Sequence, residues 1–162
     1  MNKFNSLILL AIITVSISSC GYQLRGSIDI AGLENVNIIA GNSNVTKILE
    51  QKLSKYKKDN LSESEYPTIK VLSIESQTRK LSVNSSGRVD EYEINKTLKY
   101  QLIYSEKNII TGTLKASASY DFNESQMQGT REKENTANEA IDRTLVRKLL
   151  LKFRAGFKAN SI

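Results

Sequence analysis

Histidine and tryptophan are missing from this chain of 162 residues, and cysteine and proline occur once each. Without histidine the sequence has neither the commonest general base nor the commonest transition-metal ligand. A single cysteine excludes an internal disulfide, so the core has to hold the fold unaided. Catalysis would have to rest on carboxylates, serines or lysines, and no spacing assembles them. Glu91 and Glu93 are the nearest approach, since glycosidase chemistry uses carboxyls roughly 5–10 Å apart. They fall on a strand face patterned as open and polar, where nothing raises a pKa, so neither an enzyme nor a cofactor is expected.

Long apolar runs are missing too. The longest, Leu7 to Ile17, is too short to span a bilayer, which takes about 20 residues. It follows a basic start at Lys3 and ends in small residues, the order of a secretory signal. Ile17-Ser18-Ser19-Cys20 then matches the bacterial lipobox, a branched apolar residue and two small ones before a cysteine that takes the lipid. The expected division is a signal peptide over 1–19, a tether over 20–34 lipidated (palmitate) at Cys20, and a single domain over 35–158. One acyl chain binds a membrane only marginally, and bacterial lipoproteins usually carry more than one. Glycine at position 21, where aspartate commonly retains lipoproteins in the inner membrane, favours the outer membrane of a Gram-negative cell.

The net charge of +6 includes Lys3, which leaves with the signal. The remaining excess suits an anionic partner by long-range attraction. Nucleic acid is the wrong candidate outside the cytoplasm; lipopolysaccharide, anionic lipid or an acidic protein surface fits better.

Periodicity supplies the fold. Val36–Ala40 reads as a short strand, and Asn42, Ser43 or Asn44 can cap a helix carrying Val45, Ile48, Leu49, Leu53 and Tyr56 at helical spacing. Asp59 to Glu65 reads as a polar loop. Pro67 opens a strand through Ile69–Ile74 that extends towards Val83, with Leu72 breaking the alternation, which implies either a bulge or burial on both faces. Asn84-Ser85-Ser86-Gly87 is a turn. Tyr92, Ile94, Leu98, Tyr100, Leu102 and Tyr104 then share a face that only Lys96 interrupts. Ile110, Gly112, Leu114, Ala116, Ala118, Tyr120 and Phe122 repeat the pattern, their small members leaving room for a helix to press on the sheet. That helix runs from about Thr130 to Phe157, with Ala137, Ala140, Ile141, Leu145, Leu149 and Phe153 as its stripe. Glutamates fill its first half and basic residues its second, as the helix dipole favours. The expected class is α+β: a four-stranded, mainly antiparallel sheet with two helices packed on one face, in the order strand-helix-strand-strand-strand-helix.

Cys20-Gly21-Tyr22-Gln23-Leu24-Arg25-Gly26 resembles the start of the lipopolysaccharide-assembly lipoproteins of the LptE family, and the order of elements resembles that family over nearly the whole mature chain. Tyr120-Asp121 before a helix start with Arg131 and Glu134 is similar too. The resemblance implies a lipid-anchored plug in the lumen of the LptD β-barrel of the outer membrane, on its periplasmic side. Such a plug assists barrel assembly, takes part in lipopolysaccharide transport to the outer leaflet and binds lipopolysaccharide. It also implies basic contacts at the loop between the second and third strands and at the second helix start, here Arg88, Arg131 and Lys133. Arg88 follows Gly87, whereas the family's basic residue is expected before the glycine. An alternative with the same anchor and a similar fold is a periplasm-facing lipoprotein that regulates a cell-wall synthesis enzyme.

Overall fold

The computed structural model describes residues 36–56 and 67–159. The expected signal peptide, Cys20, the expected tether and the loop expected over 59–65 lie outside these residues. The elements are β1 (Asn37–Ile39), α1 (Asn44–Leu53) with a 3-10 turn at Ser54–Tyr56, β2 (Thr68–Val83), β3 (Val89–Ser105), β4 (Asn108–Asp121), a 3-10 turn at Glu124–Gln126, and α2 (Met127–Ala159). One sheet has the order β1-β2-β3-β4, with β1 parallel to β2 and the other pairs antiparallel. The α+β class and the element order are those the periodicity predicts.

Local chemistry accounts for the boundaries. Ser43 caps α1, its hydroxyl accepting from the Thr46 amide at 3.1 Å, which satisfies one of the helix's free donors. Pro67 precedes β2 and lends its carbonyl to the Asn37 amide, starting the parallel pairing. Leu72 is skipped in the β2–β3 register, between Val71 and Ser73, and Leu81 is skipped likewise. Both leucines are exposed. The β1 strand is shorter than the apolar run allows, and α2 starts at Met127, three residues before the expected start near Thr130.

The core lies on one face of the sheet. Ile69, Ile94, Leu98, Tyr100, Leu102 and Leu114 are buried, and so are Val45, Leu49 and Leu53 of α1 in the same cluster. From α2 come Ala137, Ile141, Leu145, Val146, Leu149, Leu150 and Phe153, each large apolar side chain adding about 1.5–3 kcal/mol. Ala140 of the expected stripe is exposed, because the buried arc runs through Ile141, Leu145 and Leu149 and leaves it on the solvent side. The other sheet face is polar and carries exposed cross-strand ion pairs such as Lys99–Glu75, which contribute at most about 1 kcal/mol each.

Lys96, the lone interruption of the β3 alternation, points into this core. Its Nζ lies 2.7 Å from Asp142 Oδ1 of α2, with the two side chains 12% and 5% exposed. Asn44 at the start of α1 donates to the other Asp142 oxygen at 2.9 Å. One carboxylate thus joins β3, α1 and α2.

Two glycines make room for tyrosines. The space at Gly112 is taken by Tyr100 of the neighbouring strand, whose hydroxyl would stand 2.5 Å from an added Cβ. At Gly156 an added Cβ would run into the ring of Tyr104. Tyr104 stacks on Phe153 with ring centres 5.2 Å apart and donates to the Phe153 carbonyl at 2.8 Å. Burial, with Tyr100 nearby, pushes its phenol up to about 12.

Asp142→Ala should cost about 3–5 kcal/mol in urea unfolding, because it strands the Lys96 ammonium in the core. Lys96→Met combined with Asp142→Leu should regain most of that loss. In the same assay Gly129→Ala, with nothing within 4 Å of the new methyl, should gain up to about 1 kcal/mol from helix propensity. Gly156→Ala should lose stability despite the same propensity.

Candidate functional site

The tip of the β2–β3 hairpin is organised by Asn84. Its side-chain carbonyl accepts from the amides of Ser86 at 3.0 Å and Arg88 at 3.1 Å. Its backbone closes the turn with Gly87 and Arg88 at 2.9 and 2.8 Å. Gly87 has φ 75°, a left-handed conformation that glycine enters without steric cost. This geometry presents Arg88 on the return strand, after the glycine rather than before it.

The end of β4 and the start of α2 meet this tip. The Phe122 amide donates to the Asp90 carbonyl at 2.8 Å, carrying β4 pairing to the base of the turn. Thr130, buried in the first turn of α2, accepts from the Asn123 amide at 3.1 Å and donates to the Asn123 carbonyl at 3.2 Å. Its hydroxyl is therefore the bolt between strand and helix. On the core-side face Tyr92 stacks on Tyr120 with centroids 5.9 Å apart and meets Phe122 edge-on at 5.2 Å. Burial raises the Tyr120 phenol, with Glu134 and Tyr92 adding to the shift.

All three basic residues expected at this site belong to this end, in different states. Arg88 reaches Glu124 at 3.8 Å and Lys133 reaches Asp121 at 2.9 Å, both as exposed pairs. Arg131 is exposed, and its side chain has no ion pair or hydrogen bond among the described residues. Its guanidinium is thus available for two parallel bonds to a phosphate or carboxylate. Acids outnumber bases here, with Asp90, Asp121, Glu124, Glu132 and Glu134 against Arg88, Arg131 and Lys133. An anion at this end would be held by short-range bonds rather than drawn in by a broad field.

Glu91 and Glu93 do not form an acid–base pair. Glu93 accepts from Asn95 at 2.9 Å and from Arg79. Those two interactions, Asn95 foremost, hold its carboxyl below the ordinary carboxylate range, the opposite of what a general acid needs. Glu91 accepts from the Ser82 hydroxyl at 3.2 Å. Among the described residues no group of acids or cysteines is placed to hold a metal, and no helix is long and apolar enough to cross a membrane.

Periodicity did not reveal a cavity of about 340 Å³ beside β4, lined among others by Lys96, Lys115, Ser117, Thr144 and Lys148. Its signal in the sequence is a silence: no Asp or Glu occurs from Asn108 to Tyr120 or after Asp142.

Comparison with known proteins adds a family. The model of the LptE family, described as lipopolysaccharide-assembly, matches residues 26–153. No curated protein matches this sequence closely enough to count as a relative. Among solved structures, the rare lipoprotein B of Shewanella oneidensis superposes with a TM-score of 0.64 at 12% identity, covering 77% of this chain and 96% of its own. The uncharacterized lipoprotein B of Nitrosomonas europaea gives 0.64 at 20% identity, covering 86% and 97%. A minor lipoprotein of Acinetobacter baumannii gives 0.59 at 15% identity, covering 76% and 92%. At such identities these three establish a shared fold.

Thr130→Val should leave the Asn123 amide without its partner, while the Asn123 carbonyl keeps the Gln126 amide, and cost about 1 kcal/mol. Hydrogen exchange should then rise at Asn123 and in the first turn of α2, with the Asn84 turn unchanged.

Proposed function

This chain belongs to the LptE family of lipopolysaccharide-assembly lipoproteins, and on that premise we propose that it is the lipid-anchored plug of an LptD-like outer-membrane barrel. The observation that carries the proposal is the family match over residues 26–153. Membership gives the coarser role directly: a non-enzymatic part in lipopolysaccharide assembly at the outer membrane.

In this reading residues 1–19 are removed, Cys20 carries the lipid, and residues 20–34 tether the domain on the periplasmic side. A large β-barrel encloses a polar interior, and the polar sheet face with its ladder of ion pairs is a surface suited to that lumen. Lipopolysaccharide is bound at the hairpin and helix-start end. Arg131, unpaired among the described residues, is the first contact for a phosphate. Lys133 and Arg88 serve it by exchanging Asp121 and Glu124 for the ligand, at little loss because exposed pairs are weak.

Two measurements test this. The full chain, tagged after Ile162 and purified from outer membranes in mild detergent, should bring down a large β-barrel in equal amount. A cell-wall synthase in its place, or nothing, would overturn the plug. Arg131→Ala should weaken lipopolysaccharide binding by roughly tenfold or more, the loss of a charge-assisted contact, and Arg131→Glu by more again. Unchanged binding at low salt would remove Arg131 from the site.

A further inference from the structure

The outer border of the sheet is β4, and two bonds fix which of its backbone groups face outwards. Phe122, an even position, bonds inwards to β3 through Asp90 at 2.8 Å. Lys115, an odd position, receives the Lys148 ammonium on its carbonyl at 2.7 Å. The β3–β4 register is unbroken from Glu91↔Asp121 to Ile103↔Ile109. Strand alternation therefore turns the N–H and C=O groups of Thr111, Thr113, Lys115 and Ser117 away from the sheet. Among the described residues the Lys148 bond is the only hydrogen bond this edge receives. A long strand with free backbone groups is a template for another strand.

The charge along this border is of one sign. Neither Asn108–Tyr120 nor the chain after Asp142 contains a carboxylate. The Lys148 bond shows which side of α2 looks towards the edge, and helical spacing puts Thr144, Leu151 and Lys152 on that side. The cavity of about 340 Å³ lies at the same place. Asp142 neutralises Lys96 there, while Lys115 and Lys148 form no ion pair among the described residues. A second copy of this chain is a poor occupant. Antiparallel pairing of β4 with itself through its middle brings Lys115 near its own copy, and like charges across a ladder destabilise it.

We propose that the outer edge of β4 binds an extended acidic segment of a partner polypeptide by strand addition, with acidic side chains of that segment facing Lys115 on the polar side of the sheet and Lys148 on the helix side. In the free protein the Lys148 ammonium holds the place of the incoming amide on the Lys115 carbonyl. On docking, an N–H of the partner takes the carbonyl and Lys148 turns to a carboxylate on the helix side of the segment. The backbone gives affinity and the lysine pair sets sign and register. This site is separate from the hairpin end and stands without the plug reading.

The test is a titration of the full chain with the synthetic peptide Thr-Val-Asp-Asp-Thr-Val-Thr, whose adjacent carboxylates point to opposite faces of a strand, followed by amide hydrogen exchange. The amides of Thr113, Lys115 and Ser117 should gain protection, while those of Leu114 and Ala116 stay as they were. Lys115→Glu with Lys148→Glu should weaken this peptide about tenfold and favour a version with lysine at the centre. Lys115→Gln provides a milder variant, with a smaller loss in the same direction. Absence of protection overturns the proposal. So does the same protection from inorganic phosphate alone, which would mark a bare anion site, or from raising the protein concentration, which would mark self-pairing.

Discussion

Everything in the arrangement depends on the carboxylate of Asp142. It lies in the apolar layer between sheet and helices and takes Lys96 from β3 and Asn44 from α1. A buried ion pair is weak evidence for stability, because desolvating two charges offsets most of their attraction. Its effect here is on position. Sliding α2 by one turn along the sheet would part Asp142 from Lys96 and leave two bare charges in the core. The pair therefore selects one seating of a helix of 33 residues that apolar packing alone would hold less strictly. With that seating set, Thr130 meets Asn123 at one end, Phe153 meets Tyr104 towards the other, and Lys148 reaches the β4 edge between them.

The same seating separates the charges. A net charge of +6 describes neither surface. The hairpin end, where lipopolysaccharide binding is proposed, has more acids than bases, and its contacts are individual and directional. The border formed by β4 up to Tyr120 and by α2 after Asp142 has lysines without acids. Charges close to one another in sequence, such as Glu139 and Arg143, pair within the helix. The excess on the border persists because the nearby carboxylate, Asp142, is already taken by Lys96.

Much of this fold was legible because alternation is a strong signal. On β3 and β4 the apolar positions keep their period, so the sheet, its buried face and the covering helix followed. The broken period at Leu72 left a bulge and two-sided burial open, and the exposed, skipped side chain decides for the bulge. What stayed hidden depends on contacts that no local pattern encodes. Lys96 stood out as a misfit, yet its partner lies 46 residues away on another element. Ala140 looked like part of the stripe because alanine fits either side of a helix. Of the site, the residues Arg88, Arg131 and Lys133 could be read, but not their states. Glu124 and Asp121 reach Arg88 and Lys133 only once the strand end and the hairpin are side by side. The open edge of β4 was invisible because strand order is a property of the assembled sheet.

The two tyrosine–glycine fits bear on how this sequence can change over generations. Tyr100 occupies the volume a side chain at Gly112 would need, and Tyr104 does the same at Gly156. Neither glycine is there for backbone freedom, so each is only as fixed as its tyrosine. A lineage that replaced Tyr104 by a smaller residue would free Gly156 to become alanine and gain helix propensity, whereas the reverse order passes through a clash. Each pair should therefore be inherited as a unit, with the tyrosine changing first.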